Sequence, residues 1–399
     1  MTSSLRSLNQ KPVLSIRQSI QELPEPSPDA LAHSERLSTR IRAEIAAQGG
    51  AIGFECYMEL ALYAPGLGYY SAGARKFGAA GDFVTAPELS PLFSRCLALQ
   101  SAEILAALGA GDILELGAGS GVMAADLLAE LARRKSLPRH YLILEVSAEL
   151  RERQRRTLTE RAPVLLERVQ WLEHLPQAFS GVILANEVLD ALPVSRFRRS
   201  HDGFDEFKVT AKGNGFAWQL QSAHAELHAA LGAFEATLPV SLVEDYRSEI
   251  CPRLPAFFHS LSDTLARGAL LFVDYGYTRA AYYHPERHMG TLMCHYRQRA
   301  HDDPFLFPGL QDITAHVDFT AVAEAGTAAG LTLAGYTTQA QFLMALELAE
   351  QATDWKTSRE VKLLTLPEEM GERFKAMAFL KDLDLPLRGF SLRDLSHTL

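Results

Sequence analysis

A chain of 399 residues is long enough for two domains, or for one large domain carrying insertions. Its 47% hydrophobic and 22% charged content is ordinary for a soluble globular protein. It has no apolar run of the ~18 residues that a membrane span requires. A net charge of −9 and a pI near 5.8 argue against non-specific nucleic-acid binding, which needs a basic surface.

Residues 1–28 read as a flexible tail ending in the turn-rich LPEPSP. Arg6, Lys11 and Arg17 precede the first acid, Glu22, as in a mitochondrial presequence, but Pro12 interrupts a helix there. A helical N-terminal segment is expected over 29–110. Leu31, Leu37, Ile41 and Ile45 have the spacing of an amphipathic helix over 29–47. A second helix in ECYMELALY stops at Pro65 and Gly66. The loop GDFVTAPELSPLF (81–93) leads into a third helix over 91–108, with Pro91 in its first turn.

From residue 111 strands alternate with helices. The strands are DILEL (112–116), YLILEV (141–146), a short one in RVQWLEHL, the start of GVILANEVLD (181–190), and GALLFVDYG (268–276). The helices between them are expected over 121–134 and 147–160. Short apolar runs separated by helices predict a mostly parallel sheet covered on both faces. An insertion over 195–267 interrupts this core between its 111–194 and 268–399 halves. It holds a β-hairpin turning at Gly213-Asn214-Gly215 and a helical stretch near 241–266. The basic run RFRRSH (196–201) forms one face of that hairpin.

The loop 276–318 is long and dense in Tyr, His, Arg and Asp, and is expected to act as a substrate lid. Of His284, His288, His295 and His301, only His284 and His288 have the four-residue spacing of H-E-x-x-H, but they enclose Pro-Glu-Arg, Pro285 forbids a helix interior there, and no metal is expected. Beyond it come a helix at 319–329, the strand LTLAGY, a helix at 338–350 and RFKAMAFLK. Cys56, Cys96, Cys251 and Cys294 are widely separated, which fits a reducing compartment better than a disulfide framework.

The stretch ILELGAGSG (113–121) carries the chemistry. It lacks the lysine of a Walker loop, and Val122 stands where a G-x-G-x-x-G fingerprint wants its last glycine. It is not a nucleophile elbow, since Gly119 holds the serine position. Glu115, just before Gly117, Gly119 and Gly121, would repel a pyrophosphate but suits a cation. S-adenosylmethionine, with an ammonium and a sulfonium, fits. Glu145, ending the next strand, is placed for ribose hydroxyls. Trp171 and Leu172 are candidates to pack on adenine, and Asn186 ends the fourth strand at the ligand edge of the sheet. Asp82, Phe83, Thr85 and Glu88, in GDFVTAPE, are candidates to fold over the cofactor.

These residues together resemble the class I methyltransferase pattern. More narrowly, YMELALYAPGLGYY, GDFVTAPELSPLF, ILELGAGSG, ANEVLDALPV, DYGY and QDITAHVDFTAVAEAG are similar to the MidA-like family, over about Gly53 to Lys381. The resemblance implies an α/β, Rossmann-like methyltransferase fold with a seven-stranded, mostly parallel sheet. It implies methyl transfer from S-adenosylmethionine to a protein, and the family's mitochondrial members methylate an arginine of a respiratory complex I subunit. Two carboxylates can hold a guanidinium in a fork, and Glu187 and Asp190 are expected to form that catalytic clamp. Alternatives are methylation of a small molecule or another side chain, and an assembly chaperone that binds the cofactor without turnover. The expected setting is a bacterial cytoplasm or, alternatively, a mitochondrial matrix. The oligomeric state stays open between monomer and homodimer.

Overall fold

The computed structural model describes residues 23–72 and 84–399. Most of the expected tail and the candidates Asp82 and Phe83 lie outside them.

Helix α1 (Pro28–Ala47) starts where Ser27 caps it, accepting a hydrogen bond from the Ala30 N–H, and it buries Leu37, Ile41 and Ile45. A two-residue strand, β1 (Ile52–Gly53), leads into α2 (Phe54–Tyr63). The short α3 (Ala86–Leu89) precedes α4 (Pro91–Leu108), which Ser90 caps and which ends at Gly109.

The core follows, with β2 (Asp112–Leu116), α5 (Val122–Arg133), β3 (Tyr141–Leu144), α6 (Ala148–Arg161), β4 (Val169–Leu172) and β5 (Phe179–Asn186). The insertion supplies β6 (Ser195–Ser200), β7 (Gly203–Lys212), β8 (Gly215–Ser222), α7 (Ala225–Glu235) and β9 (Arg247–Ile250). Next come α8 (Leu254–Thr264), β10 (Leu265–Tyr277), α9 (Arg279–Tyr282), β11 (Met293–Tyr296), β12 (Arg299–His301), β13 (Asp312–Thr314) and β14 (Val317–Asp318). The chain closes with α10 (Phe319–Ala328), β15 (Thr332–Thr338), α11 (Gln339–Ala345), α12 (Trp355–Thr365) and β16 (Phe374–Lys381).

The central sheet runs β15-β16-β10-β5-β2-β3-β4, with β14 extending the end of β10. The pairs from β10 to β4 are parallel, but β16 is antiparallel to both β10 and β15, so the sheet is mixed. Strand direction is not encoded in an apolar run, which reads the same either way. Alternation decides the two layers. Ala269, Leu271 and Val273 of β10 join a core under α4, α5 and α11, whereas Leu270 and Phe272 pack under α8 and α10.

A second lobe gathers the N-terminal segment, the insertion and the 276–318 region. Its apolar cluster joins Leu37, Ile41 and Tyr57 to Val209, Cys294 and Ile313. Several expectations are corrected here. The 29–110 segment is not purely helical, because β1 pairs antiparallel with β7. The 276–318 region is a folded element with a β12-β11-β13 sheet rather than a long loop. The 241–266 stretch divides into β9 and α8, and α7 and α12 were not foreseen. The arginines of RFRRSH face internal acids: Arg198 meets Asp205 at 2.6 Å and Arg199 meets Glu235 at 3.0 Å.

Candidate active site

The ends of β2, β3 and β5 open onto a cavity of 350 Å³. Its wall includes Glu115, Gly117, Gly119, Glu145, Asn186 and Glu187, together with Thr85 and Glu88. Strands of a doubly wound sheet present their carboxyl ends to ligands in this way. The cavity is lined by four carboxylates and, among the described residues, by no Lys, Arg or His.

The glycine loop owes its path to backbone that L side chains rarely adopt. Gly117 has φ +66°, and a Cβ there would lie 2.9 Å from Val188 Cγ2. Gly121, at φ +81°, lets α5 approach α6, where a Cβ would sit 3.0 Å from the Gln154 Cα. Gln154 then bridges the two cofactor strands. Its amide donates to the Gly119 carbonyl at 3.1 Å and to Glu145 Oε2 at 3.1 Å.

Glu145 is held by the Ser147 N–H on its other oxygen, at 2.9 Å, and burial raises its carboxyl above the usual range. Glu115 accepts from the Tyr141 hydroxyl at 2.7 Å. Burial nevertheless pushes it up to about 7, so a bound cation would favour its charged form.

At the end of β5, Glu187 takes a left-handed conformation with φ +53°, rare for a residue of its kind. Asn186 donates to its Oε1 at 3.0 Å, and the Ala86 N–H at the start of α3 donates to its carboxylate. Burial, followed by the charge of Asp190, raises its carboxyl to about 8. Asn186 Oδ1 is buried and has no partner among the described residues, so it offers an acceptor to a ligand ammonium.

Thr85 lines the cavity, and Ser120 of the glycine loop donates to Glu88, which ties α3 to the cofactor wall. Four candidates are placed elsewhere, one of them Gly121, which packs against Gln154 without lining the cavity. Asp190 does not line the cavity. It is buried, bonded to the Tyr275 hydroxyl, and raised to about 6 by burial. Trp171 and Leu172 do not line it either, and they turn to opposite faces of the sheet. Trp171 instead donates to Gln154 Oε1 at 2.8 Å beneath the Arg155 guanidinium.

Sequence reasoning missed Gln154 and Asp274. Asp274 Oδ2 accepts from the N–H groups of Val188, Leu189 and Asp190 at 3.1, 2.9 and 3.3 Å, and so shapes the turn that carries Glu187. Burial, then Asp190 and Glu187, raise its carboxyl well above the ordinary range. The available signal was DYGY, an acid at the end of the fifth strand.

An α/β sheet with an acid-flanked glycine turn at its carboxyl edge defines an S-adenosylmethionine-dependent methyltransferase. The comparisons agree. Residues 96–337 match the S-adenosyl-L-methionine-dependent methyltransferase family Methyltransf_28. The chain is 29% identical over 367 residues to the mouse mitochondrial protein arginine methyltransferase NDUFAF7, covering 81% of this chain and 80% of that one. The Drosophila melanogaster homologue is 28% identical, covering 90% and 88%. A crystal structure of a COG1565 superfamily member from Burkholderia thailandensis, bound to S-adenosyl-homocysteine, is 47% identical with a TM-score of 0.89. The match covers 95% of this chain and 100% of that one. The chain belongs to the MidA-like family of S-adenosylmethionine-dependent methyltransferases.

Proposed function

We propose that this methyltransferase acts on an arginine of a protein, with Glu187 as the catalytic carboxylate and Asp190 as its buried partner. The observation that carries the reading is a cavity walled by Glu88, Glu115, Glu145 and Glu187, without a basic side chain among the described residues. Such a wall favours cationic ligands, and both the sulfonium cofactor and a guanidinium are cations.

In this reading Glu115 and Asn186 hold the charged methionine portion, Glu145 holds the ribose, and the glycine turn admits the cofactor's backbone-like end. The cofactor supplies an electrophilic methyl group and a neutral leaving sulfide. With the cationic cofactor and guanidinium bound, Glu187 gives up its proton to solvent, orients the planar guanidinium as a carboxylate, and takes the proton that the nitrogen gives up as it gains the methyl group. Its raised affinity for a proton suits that task.

The mouse relative named as a protein arginine methyltransferase supports the choice of arginine, and the family resemblance suggests a respiratory complex I subunit as target. The setting we propose is a bacterial cytoplasm or a mitochondrial matrix, both compatible with four free cysteines.

The test is Glu187→Gln. Binding of S-adenosyl-homocysteine, measured by calorimetry, stays near the wild-type value. Methylation of an arginine protein substrate, read by mass spectrometry, falls by about 10²–10⁴. Survival of arginine turnover in this variant overturns the assignment.

A further inference from the structure

A second cavity, of 780 Å³, lies beside the cofactor pocket. Two segments form the wall between them. Val188 and Ala191 face the cofactor cavity, while Leu189 and Val194 face the second. Phe257 faces the first, and Leu254, on the same helix α8, faces the second. The far walls come from α7 of the insertion and from α10 of the core, with Leu227, Phe234, Val322 and Ala325 supplying an apolar floor.

The rim is acidic. Glu55, Glu226, Asp318 and Glu324 stand on it against Arg279, with two histidines, His224 and His316. Arg279 is shared by Asp318, at 3.3 Å, and Glu324. Arg253 is likewise shared by Glu55 and Glu59. Each arginine balances one of its two acids, and Glu226 pairs with no cation among the described residues. Negative charge is therefore in surplus around an apolar floor. His316 Nδ1 is also buried without a partner among the described residues, so it is available to a polar group entering the groove.

Selection of a protein must draw on contacts away from the reacting atoms. We propose that the second cavity docks the methyl-acceptor protein through a segment that combines apolar side chains with lysine or arginine. The proposal rests on the protein-arginine reading above. Apolar side chains fill the floor, and flanking cations meet the surplus acids of the rim.

The probe is a fluorescent peptide alternating leucine with lysine and arginine, compared with its counterpart carrying glutamate at the basic positions. Binding is read by anisotropy, with S-adenosyl-homocysteine saturating. The basic peptide binds and the acidic one does not. Two exposed positions on α7 supply variants, and both keep wild-type affinity for S-adenosyl-homocysteine. Glu226→Arg weakens the basic peptide about tenfold at low salt and less at high salt. Ala230→Trp, which fills the groove, weakens it about tenfold at every salt concentration. Equal binding of the two peptides, no binding, or binding indifferent to both variants overturns the proposal. The readout involves no turnover, so a failure of arginine methylation strikes the functional reading alone.

Discussion

The Trp171 indole donates to Gln154 Oε1 at 2.8 Å, which leaves the amide NH₂ free to hold both the Gly119 carbonyl and Glu145. A residue outside the cavity thus orients the bridge between the two strands that carry the cofactor wall. Trp171→Phe keeps the packing and deletes the donor. It is expected to weaken S-adenosyl-homocysteine binding about three- to tenfold, as the loss of one ~1 kcal/mol hydrogen bond implies. An unchanged Kd in calorimetry would show that Gln154 is held without it.

Gly121 and Gly213 both have positive φ, but only Gly121 is crowded. Gly121→Ala meets the Gln154 backbone and is expected to lose about 2–4 kcal/mol of stability, whereas Gly213→Ala, in open space, loses about 1 kcal/mol. Urea midpoints compare the two, and equal losses would remove the close approach from the account.

Glu187 and Glu115 carry raised carboxyls, at about 8 and about 7, for which the ordinary value is 4.5. The folded protein therefore keeps protons that the unfolded chain has already released. The stability this gives is present in full below the ordinary value and is lost as pH rises through 7 and 8. Asp274 shifts in the same direction. His316, lowered to about 4 from 6.5 by burial, has the opposite sign but acts below 6.5. Urea unfolding without ligand should show stability falling between pH 6.5 and 8, with a shallower fall in Glu187→Gln. A flat profile in the wild type would contradict the burial argument.

Asp274 gathers three backbone N–H groups on one oxygen. Asp274→Asn keeps an acceptor there and is expected to retain the fold and cofactor binding. Asp274→Ala leaves the donors unpaired and is expected to cost about 1–3 kcal/mol, with loss of turnover. Comparing Asn with Ala separates hydrogen bonding from bulk. Equal behaviour of the two would mean that the turn 187–190 holds without this carboxylate.

The glycine turn, the acids that end β2 and β3, and the alternating core were legible in the chain because each is a local signal. Gly117, Gly119, Glu115, Glu145, Asn186 and Glu187 all reach one cavity. Helix caps and apolar spacing likewise placed α1 and α4 within a residue of where they lie. What the chain did not reveal depends on contacts between distant segments. The direction of β16 follows from its place between β10 and β15, and β1 is a strand only because β7 is there to pair with it. Gln154 becomes a bridge only when α6 lies against Gly121, and Trp171 donates to it only when β4 has been brought beside that helix. Residues near in sequence share a periodicity that can be read. Partners brought together from across the chain share only a packed interior, which exists once the whole molecule has folded.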